Sequence, residues 1–183
     1  MPLKEPTAWD CTLMDRVLQE AHDALVQGGA GVAALLASPD KIIAVARNTI
    51  QVTGDMTDHA EMVLLHRVGN QLRTMSDEQR RTLSVYVTLE PCLMCGSALS
   101  FVGIKRIVYA ALAEDANAEQ MIVRNLTLAK INDQLVRGPF ILVPGVRRGE
   151  GQALLRQMGK AAGDNSRSRN LKGSLRDPTT INQ

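Results

Sequence analysis

A histidine at position 59 and two cysteines at positions 92 and 95 constrain the fold of this chain more than any other feature of its sequence. Zinc in proteins favours nitrogen and sulfur ligands in a tetrahedral shell, and three protein ligands leave the fourth position for water. Such a water loses its proton near neutral pH and becomes a nucleophile. Glu61 is not needed as a ligand and can carry protons. The pattern therefore predicts a fold that brings His59 to Cys92 and Cys95 around one catalytic zinc ion.

Two other interpretations of the cysteine pair remain open at this point. A C-x-x-C sequence can be a redox-active dithiol, or it can form half of a structural zinc site. A structural site needs a fourth ligand, for which the sequence offers Cys11, His22 and His66. Cys11 and His22 lie far before His59 without the spacing of ligands, and His66 lies about two helical turns beyond it. We therefore favour a catalytic site with three protein ligands.

Length and composition indicate one globular domain. The 183 residues are enough for a substantial core, and 45% hydrophobic and 22% charged residues are ordinary fractions for such proteins. No apolar run approaches the length of about 18 residues that a membrane helix needs, and residues 1–10 lack the apolar region of a signal peptide. Three cysteines, two of them assigned to zinc, leave no disulfide framework. We expect a cytoplasmic enzyme without a membrane partner.

Charge is distributed unevenly along the chain. Of the 21 basic and 19 acidic residues, five and two respectively lie from residue 160 onward, which leaves 16 basic and 17 acidic residues before it. Residues 160–183 carry few hydrophobic side chains, so we expect a disordered basic tail there and a folded domain in residues 1–159. A nucleic-acid-binding domain usually has a basic face. The balanced charge of residues 1–159 argues against a nucleic-acid partner without excluding one.

Hydrophobic periodicity and turn residues predict alternating helices and strands. The expected helices run from Asp10 or Thr12 to Gly28-Gly29, over residues 59–68 with an end at Gly69-Asn70, over 92–102 and over 150–158. The expected strands are residues 31–36, 41–46, 83–89, 106–111 and 140–143. Segment 114–138, of mixed helical character, is long enough for a helical crossover to a parallel strand.

The predicted zinc ligands lie at the starts of two of these helices. Asp58 or Thr57 can cap the helix that carries His59, and Pro91 suits the entrance of the helix that carries the two cysteines. Cysteines three residues apart lie on one face of a helical turn. The partial positive charge of a helix N-terminus helps to keep thiols deprotonated. Two helix N-termini are therefore expected to converge on the metal.

Three stretches resemble the cytidine deaminase-like superfamily, and the resemblance covers roughly residues 10–158. They are residues 46–48 (Ala-Arg-Asn), 59–62 (His-Ala-Glu-Met) and 87–95 (Val-Thr-Leu-Glu-Pro-Cys-Leu-Met-Cys). The second and third contain the H-x-E and P-C-x-x-C signature of zinc deaminases. They are similar to the branch that contains tRNA adenosine deaminases and bacterial guanine deaminases. The resemblance implies an α/β fold, namely a three-layer α/β/α sandwich around a five-stranded mixed sheet.

The resemblance also implies roles for single residues. His59 and the two cysteines would bind one zinc ion per chain, and Glu61 would act as the proton shuttle. Asn48 would contact the base, and the backbone N–H of Ala60 would meet a polar atom of the base. On residue type alone, a loop asparagine more often satisfies the local backbone. The role of Asn48 therefore rests on the resemblance.

Three features of the sequence bear on the choice between the tRNA enzymes and the guanine enzymes. Bacterial tRNA adenosine deaminases carry an Arg-Asp pair after the strand that corresponds to residues 106–111, whereas this chain has Leu112-Ala113. The acidic pair Glu114-Asp115 comes slightly later, which is more similar to guanine deaminases and makes Asp115 a candidate substrate contact. Phe101 falls where guanine deaminases carry an aromatic residue near the pocket, although core packing explains it equally well.

These features predict a zinc-dependent hydrolytic deaminase of a free nucleobase or related aminated heterocycle, with a guanine-like ring favoured and ammonia released. A tRNA adenosine deaminase is the alternative, although the chain has only five aromatic residues with which to stack splayed bases. A catalytically silent zinc module is less favoured because Glu61 is intact. We also expect a homodimer, because members of the superfamily are usually oligomeric.

Overall fold

The computed structural model describes residues 4–117, 123 and 126–159. It contains the strands Ala33–Ala37 (β1), Ile42–Arg47 (β2), Ser84–Leu89 (β3), Arg106–Ala111 (β4) and Ile141–Pro144 (β5). They form one sheet in the order β2-β1-β3-β4-β5. β1 pairs antiparallel with β2 and β3, whereas β3, β4 and β5 run parallel. The predicted five-stranded mixed sheet is confirmed.

Helices cover both faces of the sheet. They are Ala8–Val26 (α1), Ile50–Thr53 (α2), Ala60–Thr74 (α3), Asp77–Thr82 (α4), Leu93–Val102 (α5), Leu128–Ile131 (α6) and residues 148–159 (α7). On one face, Met14 of α1 and Leu154 of α7 join one buried cluster. On the other face, Leu64 of α3 and Leu99 of α5 join a second cluster. The predicted three-layer sandwich is confirmed. Within the described ranges, no helix combines the length and apolar character needed to cross a membrane.

The start of α1 differs from the expectation. α1 begins after Thr7 rather than at Asp10 or Thr12. The Thr7 side chain accepts the N–H of Asp10, and the Asp10 carboxylate accepts the N–H of Thr7, which together form a capping box. Asp10 therefore lies in the first turn of α1 as a partner of the cap.

The end of α3 also differs. The helix continues through Gly69-Asn70 and ends at Thr74. Val68 and Leu72 are both buried, and residues four apart lie on the same face of a helix. Burying the additional turn outweighs the cost of about 1 kcal/mol for a glycine inside a helix. A local helix-ending signal is overridden here by packing.

The predicted crossover between β4 and β5 is confirmed, because these strands are parallel. Its described parts include two 3-10 turns, Ala113–Asp115 and Asn132–Gln134, and α6. The buried Asn132 side chain accepts the N–H of Phe140 at 2.7 Å and donates to its carbonyl at 2.9 Å, which fixes the entrance to β5. Residues 118–122, 124–125 and the predicted tail 160–183 lie outside the described residues.

A buried ion pair links α1 to the start of β4. Asp10 is 1% exposed and accepts hydrogen bonds from the Arg106 guanidinium at 2.7 and 2.8 Å and from the Tyr86 hydroxyl at 2.8 Å. Burial opposes the charge and raises the pKa of Asp10, but hydrogen bonds from Arg106, Thr7 and Tyr86 outweigh it. The pKa of Asp10 is therefore held well below its ordinary value of 3.8.

Replacing Asp10 by asparagine is expected to lower the free energy of unfolding by about 3 kcal/mol at pH 7, because Arg106 loses its counter-charge. Since the pKa of Asp10 is depressed in the folded state, its carboxylate stabilises the fold above about pH 4 and loses this effect as the pH falls further. Urea unfolding of the wild type and the variant at pH 7 and pH 3 measures the difference. The difference should shrink at pH 3, and an equal difference at both pH values would contradict its electrostatic origin.

Candidate active site

The starts of α3 and α5 place the predicted metal ligands. His59 and Cys92 occupy the N-cap positions of α3 and α5, with extended backbone conformations. N-cap side chains usually accept a backbone N–H of the first turn, but neither of these does. Asp58, expected as a possible cap, instead accepts the Thr53 hydroxyl at 2.8 Å. The imidazole and the thiol are therefore free to face each other, and the two helix N-termini converge as predicted.

The three ligand atoms have the spacing of a zinc site. Nδ1 of His59 lies 3.8 Å from Sγ of Cys92 and 3.7 Å from Sγ of Cys95, and all the ligand atoms lie within 4.8 Å of one another. A tetrahedron built with normal Zn–N and Zn–S bond lengths has edges of about 3.6 to 3.8 Å. The donor set and its geometry therefore fit zinc.

Protons are shared among these side chains. Hydrogen bonding from Cys95, together with that from His59, lowers the pKa of Cys92 to about 4. The same contact with Cys92, with burial added, raises the pKa of Cys95. The hydrogen bond to Cys92 also raises the pKa of His59, against the opposing effect of burial. Negative charge thus collects on Cys92, while Cys95 and His59 keep protons that are released when a divalent cation is bound.

Glu61 lies in the first turn of α3, next to the ligands. It is 4% exposed, and burial raises the pKa of its carboxyl group to about 7, with a further contribution from the charge of Cys92. The charge of His59 acts on it in the opposite direction. Both effects require the carboxyl group to be close to the ligands. A buried carboxyl group beside a three-ligand metal site is the arrangement expected of a proton carrier.

The sequence profile of the family described as "Cytidine and deoxycytidylate deaminase zinc-binding region" matches residues 7–111, more than half of the chain. The chain belongs to this deaminase family. His59, Cys92 and Cys95 are positioned to bind the zinc ion that the description of the family names. The expected superfamily and cofactor are confirmed, which removes the redox and structural-zinc interpretations of the cysteine pair.

Curated relatives of the deaminase include tRNA-specific adenosine deaminases. That of Xenopus tropicalis, "tRNA-specific adenosine deaminase 2", is 34% identical over 104 residues, or 55% of this chain and 61% of the relative. That of Buchnera aphidicola subsp. Schizaphis graminum is 30% identical over 141 residues, or 77% of this chain and 87% of the relative. The chain spans about three-fifths of the length of the first relatives that it matches. A solved guanine deaminase from Nitrosomonas europaea shares the fold, with a TM-score of 0.67, 21% identity and 86% coverage of both chains.

Asn48 follows β2 directly and lies close to the start of α3. The backbone N–H of the next residue, Thr49, donates to the carbonyl of Asp58 at 3.1 Å, which brings the end of β2 to the start of α3. The Asn48 side-chain oxygen accepts the N–H of Ile50 at 3.1 Å, so the expected local role is observed. Its amide NH₂ group has no hydrogen-bond partner among the described residues and is free to donate. Ala60 is buried and is the first residue of α3, where backbone N–H groups have no helical partner.

The structure does not bring Phe101 to the metal ligands of its own chain. Phe101 lies at the far end of α5 from Cys92, about 13 Å along the helix axis. It is 69% exposed, so core packing does not explain it either. Its ring stacks under the Arg137 guanidinium, 4.5 Å from the ring centre. A contact between Phe101 and the substrate stays an untested prediction, and α5 alone does not provide it.

Asp115 has a structural role in the chain. Its carboxylate accepts hydrogen bonds from Arg148 at 2.8 and 2.9 Å, from Gln152 at 2.8 Å and from the N–H of Leu112 at 2.9 Å. The bonds from Arg148 lower the pKa of Asp115 to about 2. These contacts tie the start of the crossover to α7. The predicted contact of Asp115 with substrate is untested, and Asp115 is not among the described residues that line the adjacent pocket.

A small pocket lies beside Cys92. Residues 89–93 form one side of the pocket. We call the other side the pocket wall; it is formed by Ala113, Ala116, Val123, Leu126 and Thr127. Glu90 was not predicted as a functional residue from the sequence. Its carboxylate accepts backbone N–H groups at the two ends of this wall. The available signal was an acidic residue directly after a buried strand and inside the cysteine motif.

Proposed function

We propose that the enzyme removes the amino group of a free nucleobase or related aminated heterocycle, with a guanine-like ring favoured. The observation that carries the proposal is a three-ligand metal site next to the buried carboxyl group of Glu61. Deamination needs a nucleophile and a proton carrier at the same ring carbon. A pocket beside Cys92 adjoins this site and offers a place for a small ligand.

The proposed roles follow from the positions of the side chains. When bound, zinc supplies an activated water as the nucleophile. Glu61 first protonates a ring nitrogen and then relays a second proton to the departing amine, so that water and the aminated ring become ammonia and the oxo ring. The free amide N–H groups of Asn48 and the backbone N–H of Ala60 donate to polar atoms of the base and orient it.

A tRNA adenosine deaminase is the second candidate, and the names of the curated relatives favour it. An anticodon substrate requires several basic contacts to phosphate and aromatic platforms for splayed bases. Residues 1–159 carry 16 basic and 17 acidic residues, and Leu112-Ala113 replace the Arg-Asp pair noted above. These features support the smaller substrate, and we therefore rank the free base first.

An ammonia-release assay over guanine, cytosine, adenine, their nucleosides and aminated triazines tests this ranking, together with an inosine assay on a tRNA anticodon stem-loop. We expect the highest kcat/KM for a free base or a triazine and no conversion of adenosine to inosine in the RNA. Faster conversion of the RNA than of every small compound would reverse the ranking. No turnover of any compound by protein that carries one zinc per chain would reject both candidates.

Assembly and compartment belong to the same proposal. We expect a homodimer, on the grounds that the superfamily is usually oligomeric, and a cytoplasmic location, on the sequence grounds given above. Light scattering at micromolar concentration checks the assembly. A single species of 19.9 kDa would reject the dimer.

A further inference from the structure

Glu90 lies between the end of β3 and the metal ligand Cys92, and the chemistry described above gives it no role. It is 9% exposed. One carboxylate oxygen accepts the backbone N–H of Ala113 at 3.0 Å, and the other accepts that of Leu128 at 2.9 Å. The ion pairs within the described ranges do not include Glu90. Both oxygens therefore serve backbone groups at the two ends of one segment, 113–128.

These two backbone groups mark the ends of the pocket wall. The wall faces residues 89–93, so Glu90 joins the two sides of the pocket near Cys92. At the far end of the wall, the buried side chain of Leu128 lies against Gly96 of α5. A Cβ atom added to Gly96 would lie only 2.7 Å from Cδ1 of Leu128. The wall is thus docked on the helix that carries the two cysteine ligands.

Holding a segment in place with a buried carboxylate costs more free energy than holding it by apolar packing alone. Burying a charge without a cation is unfavourable unless its hydrogen bonds compensate. The contact between Leu128 and Gly96 shows that apolar packing is available at the same place. Glu90 adds what packing does not provide, because two acceptor oxygens on one side chain fix two separate N–H groups in direction as well as in distance.

We propose that Glu90 is a positioning residue that fixes the pocket wall relative to Cys92 and thereby sets the affinity of the enzyme for its substrate. The proposal rests on the proposed function in that the ligand of this pocket is the substrate of the deaminase. Glu90 acts through the backbone of Ala113 and Leu128. Its loss therefore raises KM more than it lowers kcat.

The test is Glu90→Gln in the full-length, zinc-loaded protein. Glutamine keeps one acceptor oxygen but presents an NH₂ group to the second backbone N–H, so one of the two bonds is lost. We expect exchange of the amide hydrogen of Ala113 or of Leu128 to become at least tenfold faster. With guanine, or the compound of the panel above that is turned over fastest, we expect KM to rise about tenfold and kcat to change less than threefold. Zinc content should remain one equivalent.

Asn132→Ala is the matched control. Asn132 is another buried polar side chain with two hydrogen bonds to backbone, but its bonds hold Phe140 rather than the pocket wall. The control should lower the melting temperature and leave KM and the exchange of Ala113 and Leu128 unchanged. Unchanged exchange of both amides in Glu90→Gln would overturn the proposal, and so would an equal rise of KM in the control. If no compound is turned over, the proposed function fails while the exchange measurement still decides whether Glu90 fixes the wall.

Discussion

Replacing Glu61 by glutamine is expected to lower kcat by about three to four orders of magnitude while the metal content and the fold are kept. The reaction needs at least two proton transfers, to a ring nitrogen and to the departing amine. Glutamine fills the same buried space but cannot accept or release a proton at neutral pH. Loss of the shuttle therefore affects each transfer, whereas zinc keeps its three ligands.

Three measurements separate this result from a loss of structure. They are kcat with the best substrate of the panel, zinc per chain by elemental analysis, and the melting temperature. Glu78→Gln, on the exposed surface of α4, makes the same chemical change away from the site and should retain full activity. Activity of Glu61→Gln close to that of the wild type would assign proton transfer to another group.

The second large effect is expected from Cys92→Ala, which should lose most of its zinc on dialysis against a mild chelator. The variant keeps only one thiolate and one imidazole of the three ligands. Cys92 is one of the two thiolates whose negative charge balances the dication in the bound state. Because a bound metal stabilises the folded state by mass action, the melting temperature should fall with the metal content.

Cys11→Ala is the control for this experiment. Cys11 is the third cysteine and lies on α1, across the sheet from the metal ligands. It should retain a full equivalent of zinc and normal activity. A full equivalent of zinc in Cys92→Ala after the same dialysis would refute the ligand assignment, whatever the activity of that variant.

The metal site could be predicted from the sequence because its signals are local and chemically specific. The spacing of Cys92 and Cys95 places them on one helical turn, and Pro91 marks the start of that helix. Strands with alternating or continuous apolar residues, such as β3 and β4, could also be predicted from the sequence. The predicted bounds of β4 are the observed ones. The parallel pairing of β5 followed from the length of the connection before it.

Features that depend on distant partners could not be predicted in this way. The ion pair between Asp115 and Arg148 joins residues 33 positions apart. The continuation of α3 beyond Gly69-Asn70 depends on the burial of Leu72, which only the assembled layer provides. The role of Glu90 depends on two backbone groups brought back to it by the crossover. No local sequence pattern predicts these contacts between residues that are distant in the chain.

The ion pair between Asp10 and Arg106 has a consequence for synthesis on the ribosome. Its two residues are 96 positions apart, so α1 is made first but cannot complete its docking until β4 has emerged. During that interval the apolar stripe of α1, which includes Leu13, Met14 and Val17, lacks part of the surface that covers it in the folded protein. The apolar stripe of α1 is therefore a surface of the nascent chain that a cotranslational chaperone would find exposed until the later elements emerge.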